Sequence, residues 1–117
     1  MIQDVAFIAY AVSDVPRSVA FYRDVVGLPL GKTFNEDYVE FNVGSTAFAV
    51  DGEPAGYAPG TCSGVAFEVD DVTAVRERLA ACGATVSEVY DFPVCWICFA
   101  EDPDGNRFAI HRRKPEA

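Results

Sequence analysis

The chain has 117 residues, half of them hydrophobic, and its 18 acidic and 9 basic side chains leave a net charge of −9. This composition predicts one folded domain with a buried core and excludes intrinsic disorder. The negative charge argues against nucleic acid, whose phosphates require a basic surface, and no apolar run is long enough to span a bilayer. Because no secretory signal precedes the first apolar run, we expect a cytoplasmic protein without a nucleic-acid or membrane partner.

The first half of the chain predicts a strand, a helix and three further strands. Residues 5–12 are apolar throughout, which is typical of a strand covered on both faces. Asp14 can cap the following helix, and Gly27 can end it. The helix has an apolar stripe at helical spacing, formed by Val19, Tyr22 and Val26. The three strands are predicted over 28–34, 37–43 and 46–50.

The second half repeats this order after a linker rich in Gly and Pro at 51–61. A strand is predicted over 63–69, and Asp71 caps a helix that ends at Gly83. The last three strands are predicted over 85–90, 94–100 and 107–111. We therefore divide a single domain, 1–117, into module 1 (about 1–52) and module 2 (about 62–114), each with the order βαβββ.

Four cysteines without a secretory signal are expected to be free thiols. Two of them form a C-x-x-C motif, Cys95 and Cys98, inside a β-branched and aromatic run that predicts a strand. Positions three apart in a strand point to opposite faces, so the motif does not predict a redox or zinc site.

Short motifs follow one another in order along the two halves: Val12-Ser13-Asp14-Val15-Pro16-Arg17-Ser18, Phe21-Tyr22, Gly27-Leu28, Val65-Ala66-Phe67-Glu68-Val69-Asp70-Asp71-Val72 and Glu101-Asp102-Pro103-Asp104-Gly105-Asn106. This ordered set resembles the glyoxalase/bleomycin-resistance/dioxygenase superfamily, also called vicinal oxygen chelate proteins. The resemblance implies an α+β fold in which the two βαβββ modules form a U-shaped mixed sheet around a concave cavity, with the helices outside. It also implies a homodimer with clefts formed across subunits.

Enzymes of this family hold a divalent metal with one residue from each of four strands. Counting from Asp14 and Asp71 and from the last strand of each module, the matching positions are Phe7, Ala47 or Ala49, Gly64 and Ala109. None of these side chains has a donor atom for a metal. We therefore expect no metal, no other cofactor and no catalysis in the usual mode of the family.

A site could instead be built around His111, the one histidine of the chain. If the last hairpin pairs Phe99 with Phe108, Trp96 and Cys98 share the concave face with Ala109 and His111. His111, Cys98 and Glu40 would then form a metal or acid–base set, and His111 is the one weak catalytic candidate. The alternative is a histidine at the rim that only contacts water.

Apolar residues at the four ligand positions leave a cavity suited to an organic guest. The leading hypothesis is a metal-independent binding protein of the bleomycin-resistance type that sequesters an apolar or aromatic ligand, with Glu40 available to a cationic group. The predicted ligand-binding residues are Phe7, Tyr38, Glu40, Ala47, Ala49, Gly64, Trp96, Cys98, Ala109 and His111. The alternatives are a lyase- or isomerase-type enzyme around His111, and a structural or regulatory module whose cavity is filled by Phe7 and Trp96.

Overall fold

The computed structural model describes residues 1–54 and 56–115, and its first half forms one four-stranded sheet. The elements in chain order are β1 (Phe7–Ala11), α1 (Val15–Ala20), a π-helical segment (Phe21–Val26), β2 (Leu30–Asn35), β3 (Tyr38–Val43) and β4 (Thr46–Asp51). The sheet order is β1-β4-β3-β2, in which β1 runs parallel to β4 and the other neighbours are antiparallel.

The second half repeats this arrangement in a second sheet. Its elements are β5 (Val65–Glu68), α2 (Val72–Ala81), β6 (Tyr90–Asp91), β7 (Cys95–Glu101) and β8 (Arg107–Arg113), with the sheet order β5-β8-β7-β6. The predicted α+β class with two βαβββ modules is therefore confirmed. The strands of residues 1–54 and 56–115 form two mixed sheets and no closed barrel.

Local sequence signals account for the helix ends. Asp14 and Asp71 accept hydrogen bonds of 3.0 Å from the backbone N–H groups of Arg17 and Ala74, so both act as N-caps. Gly27 ends the first helical stretch with a φ of +93°, a left-handed conformation that favours glycine. The observed helical stretch differs from the predicted single helix in one respect: its second half is π-helical.

The two modules share one aromatic core on the helix-covered faces of both sheets. Tyr22 is fully buried, and its ring centroid lies 4.9 Å from that of Phe48 and 5.9 Å from that of Phe108. Phe48 in turn packs edge-on against Phe67 at 5.4 Å. Since these rings come from both halves of the sequence, neither module completes its core alone.

Two of the predicted strands are incomplete. The segment 85–90 contributes only Tyr90 to a strand, because the Ser87 hydroxyl accepts the hydrogen bond of the Phe99 N–H group and takes the place of a regular ladder partner. The strand predicted over 5–12 is also shorter, since β1 covers only Phe7–Ala11. The prediction that both of its faces are covered is wrong for its first half, where Phe7 is 51% exposed.

The predicted linker lies between β4 and β5, with Ala55 outside the described residues. Residues 116–117 also lie outside the described residues. The limits of the two modules and their assignment to a single domain stay predictions.

Candidate functional site

The face of the module 2 sheet that turns away from the helices carries an open cleft of about 410 Å³. Its floor consists of small residues, Gly64, Ala66 and Ala109, because Ala66 pairs directly with Ala109 across β5 and β8. Ile97 and Phe99 line it from β7. A hollow with a small-residue floor and apolar walls can hold a flat ring, and we call it the module 2 cleft.

Arg107 lies at one end of the module 2 cleft, where its guanidinium carbon stands 5.5 Å from the centroid of the Phe99 ring. Glu101 is its direct partner on β7. Phe99 is therefore held in a cation–π contact that orients its ring at the wall of the cleft.

Glu68 and His111 lie beyond the other end of the cleft, on the same face. Along β5, Glu68 follows Ala66 at the next position of that face, and it pairs directly with His111 on β8. His111 is also the direct partner of Ile97 on β7. The His111 Nδ1 and Glu68 Oε1 atoms are 2.5 Å apart.

Glu68 is held in place by its second oxygen. Its Oε2 atom accepts a hydrogen bond of 2.7 Å from the Arg113 backbone N–H group. This bond, and secondly the bond with His111, lower the pKa of the Glu68 carboxyl below its ordinary value. The carboxylate is therefore the stable form and can only accept hydrogen bonds.

The corresponding face of the module 1 sheet carries an aromatic cluster with a carboxylate. Tyr38 is flanked edge-on by Phe7, with ring centroids 6.0 Å apart, and by Phe34, at 5.4 Å. The Tyr38 hydroxyl donates a hydrogen bond of 3.1 Å to Glu40, and burial, followed by that carboxylate, raises the pKa of Tyr38 to about 12. The Lys32 ammonium lies 4.8 Å above the Phe34 ring, so this ring already accepts a cation.

The residues at the four family ligand positions do not fit a metal. Phe7 pairs with Ala47 and Ala9 with Ala49, so the two alanines do share one sheet face with Phe7, and none of the three has a donor atom. Gly64 adopts a φ of +105°, a conformation that a histidine would take only with strain. Within residues 1–54 and 56–115, no three His, Cys, Asp or Glu side chains form a group that could hold a metal ion.

The predicted orientation of the last hairpin is wrong. Phe99 pairs with Ala109, and Phe108 pairs with Ala100, so the register is shifted by one residue from the predicted one. Since a shift of one residue moves every side chain to the other face, Cys98 lies in the helix-covered core and is fully buried.

Trp96, like Cys98, lies on the helix-covered face and not on the predicted one. It packs there against the core, beneath the Lys114 ammonium. The set of His111, Cys98 and Glu40 is therefore not assembled, because Cys98 lies on the opposite face and Glu40 on the other sheet. Trp96 also does not fill the module 2 cleft, which lies on the other face of its strand.

The predicted residues are thus divided between the two sheets. Phe7, Tyr38, Glu40, Ala47 and Ala49 lie on the open face of module 1, whereas Gly64, Ala109 and His111 lie along the open face of module 2. Sequence reasoning missed Phe34, Ala66, Glu68, Phe99 and Arg107. Glu68 could have been found, because the repeat places it four residues after Gly64 on the same strand face.

The sequence and structure comparisons agree with this architecture. Residues 4–110 match the family model of the Glyoxalase/Bleomycin resistance protein/Dioxygenase superfamily, and the chain belongs to this superfamily. A lactoylglutathione lyase of Haemophilus influenzae is 32% identical over 120 residues, covering 88% of this chain and 87% of that protein.

Two solved structures from Streptomyces sp. CB03234 are similar in fold. The first is TnmS3, an antibiotic binding protein, with a TM-score of 0.83, 25% identity and coverage of 97% of this chain and 98% of that one. The second is a glyoxalase/bleomycin resistance protein, with a TM-score of 0.79, 26% identity and coverage of 92% and 98%. None of the helices in residues 1–54 and 56–115 has the length and apolar character needed to cross a membrane.

Proposed function

We propose that this protein is a metal-independent binding protein that sequesters an apolar, aromatic small molecule. The module 2 cleft carries the proposal, because its flat floor of Gly64, Ala66 and Ala109 lies beside the Phe99 ring. Stacking of a planar ligand on such a ring contributes about 0.5–1.5 kcal/mol beyond the burial of apolar area. The similarity to TnmS3, an antibiotic binding protein, supports a guest of this kind.

The module 1 face favours a ligand that also carries a positive charge. Glu40 presents a carboxylate next to Tyr38, and the Tyr38 ring packs edge-on against Phe7 and Phe34. Aromatic rings with a nearby carboxylate are suited to a delocalised or quaternary cation. The net charge of −9 adds a long-range attraction for cations.

A homodimer would bring the two faces together. Phe7 and Phe34 are 51% and 53% exposed on the open face of module 1, an unusual place for two large apolar rings in a monomer. In the proposed dimer, the module 1 face of one subunit covers the module 2 cleft of the other. A cytoplasmic location agrees with four free cysteines.

Thermal melting in the presence of planar aromatic compounds tests the proposal. The protein, purified and dialysed against EDTA, is melted with proflavine as a planar cation, anthracene-2-sulfonate as a planar anion, and choline as a cation without a ring. A ligand that binds only the folded state raises the melting temperature. We expect the largest increase with proflavine, and no increase with any planar compound would overturn the proposal.

An enzyme of the lyase type is a second candidate, favoured by the 32% identity to a lactoylglutathione lyase and by the Glu68–His111 pair. It predicts the formation of lactoylglutathione by the purified protein and the loss of that activity in His111→Phe. Activity of His111→Phe equal to that of the wild type would exclude His111 as the catalytic residue.

A further inference from the structure

The contact between Glu68 and His111 assigns the hydrogen atom that lies between them. Because the Glu68 carboxylate only accepts, the hydrogen of the short contact belongs to His111 Nδ1. In the neutral imidazole, the other ring nitrogen, Nε2, is then an acceptor with a free lone pair. The Arg113 N–H group anchors Glu68, and the contact with Glu68 in turn orients the imidazole ring.

The pair also lies within reach of a guest in the module 2 cleft. His111 is the direct cross-strand partner of Ile97, which lines the cleft, and it follows Ala109 of the floor on the same face. Directly paired residues have Cβ atoms about 4.5–5.5 Å apart. A ring seated on Ala66 and Ala109 therefore has its nearer edge directed along the strands toward His111, which is the next residue of that face on β8.

We propose that the Glu68–His111 pair is a hydrogen-bond-accepting site for an acidic hydroxyl group, a phenol or enol, on the aromatic ligand. The inference rests on the proposed function and specifies the substituent that the cleft selects. His111 Nε2 accepts the hydroxyl hydrogen, and Glu68 is a positioning residue that holds the tautomer. No covalent step is involved, and the hydroxyl remains on the ligand.

A matched pair of probes tests this selection. We would titrate the protein with 2-naphthol and with 2-methoxynaphthalene at neutral pH, following the fluorescence of the probes. The methyl ether is larger and more apolar, so burial alone would make it the tighter ligand. We expect 2-naphthol to bind about three- to tenfold more tightly, as one additional hydrogen bond predicts.

Three variants separate the roles of the two residues. His111→Phe should lose the preference for 2-naphthol and keep its affinity for the ether. Glu68→Ala should lose most of the preference, and Glu68→Gln, which retains an acceptor, should restore part of it. Asp70→Asn is the control, because Asp70 carries the same charge on a neighbouring exposed position and pairs with Arg112 instead.

The single histidine allows a second measurement on the same samples. Nitrogen-15 NMR of the imidazole should show Nδ1 protonated, and 2-naphthol should shift the Nε2 resonance whereas the ether should not. Binding of both probes without a preference, or a preference that survives in His111→Phe, would overturn this inference alone. Failure of both probes to bind would overturn it together with the proposed function.

Discussion

The Tyr22 hydroxyl donates a hydrogen bond of 2.8 Å to Asp102 Oδ2, and this bond joins the π-helical segment of module 1 to the last hairpin of module 2. Asn106 donates to the same oxygen at 2.9 Å and to the Ala11 carbonyl oxygen at 2.7 Å. Asp102 is buried, so these bonds replace the water that its carboxylate loses on folding. Asp102 and Asn106, which belong to the motif Glu101-Asp102-Pro103-Asp104-Gly105-Asn106, therefore form a structural joint between the modules.

Replacing Tyr22 by Phe tests this joint. The variant removes one hydrogen bond to a buried carboxylate and keeps the ring, so we expect the free energy of unfolding to fall by about 1.5–3 kcal/mol. Urea denaturation measures the loss. Tyr90→Phe is the matched control, because Tyr90 is 38% exposed, and its stability should be unchanged within error. Equal stability of both variants would mean that the bond contributes nothing.

The same tyrosine predicts how stability changes in alkaline solution. Burial, and secondly Asp102, raise the pKa of Tyr22 well above its ordinary value of 10.0. The folded chain therefore keeps the phenolic proton above pH 10, whereas the unfolded chain loses it. The stabilisation is complete below pH 10 and is lost as the pH rises, by about 1.4 kcal/mol per pH unit for one proton.

Denaturation of wild type and Tyr22→Phe between pH 9 and 11 checks this dependence (the range brackets the ordinary tyrosine pKa). The slope above pH 10 should be smaller in the variant by about one proton. Tyr10, whose pKa burial also raises, accounts for part of the slope that remains. Identical slopes in the two proteins would contradict the assignment.

The cysteines should differ in their rates of reaction with an aryl disulfide reagent. Cys82 is exposed, whereas Cys98 is fully buried and burial raises the pKa of its thiol. We expect Cys82 to react first and Cys98 only on unfolding, because the thiolate is the reactive form. Cys82→Ser should remove the rapid phase. A disulfide between Cys95 and Cys98 in native protein would contradict their placement on opposite faces of β7.

Sedimentation velocity tests the proposed dimer. Phe34→Glu places a charge on the open face of module 1, next to Tyr38, and should shift the protein from dimer to monomer while preserving its circular dichroism spectrum. Ala74→Glu introduces the same charge on the exposed surface of α2 and should leave the dimer intact. A wild-type monomer at all concentrations would contradict the proposal.

The fold could be predicted from the sequence because local signals agree with each other in both halves. Asp14, Asp71 and Gly27 mark helix ends, and Val39 and Phe41 alternate with Tyr38 and Glu40 along one strand. A full strand was predicted over 85–90, but only Tyr90 belongs to one, because the Ser87 side chain takes a backbone hydrogen bond that no periodicity reveals.

The site was predicted less well, since it depends on strand register. The run around Trp96 is apolar on both faces, so its alternation does not indicate which face meets the helices. The observed register of the last hairpin is shifted by one residue from the predicted one. Phe99 and Ile97 therefore line the cleft, where Cys98 and Trp96 were predicted. The contact between Glu68 and His111 also depends on strand pairing, because the two residues lie 43 positions apart in the sequence on two different strands.

The central claim is metal-independent binding of an aromatic guest in the module 2 cleft, and calorimetric titration of proflavine in EDTA tests it most directly. Ala66→Leu fills the floor of the cleft, and Ala74→Leu adds the same side chain on the exposed surface of α2. We predict binding by the wild type and by Ala74→Leu, and a loss of about tenfold or more in Ala66→Leu, equivalent to about 1.4 kcal/mol. Binding that requires an added divalent metal, or that Ala66→Leu leaves unchanged, would contradict the claim.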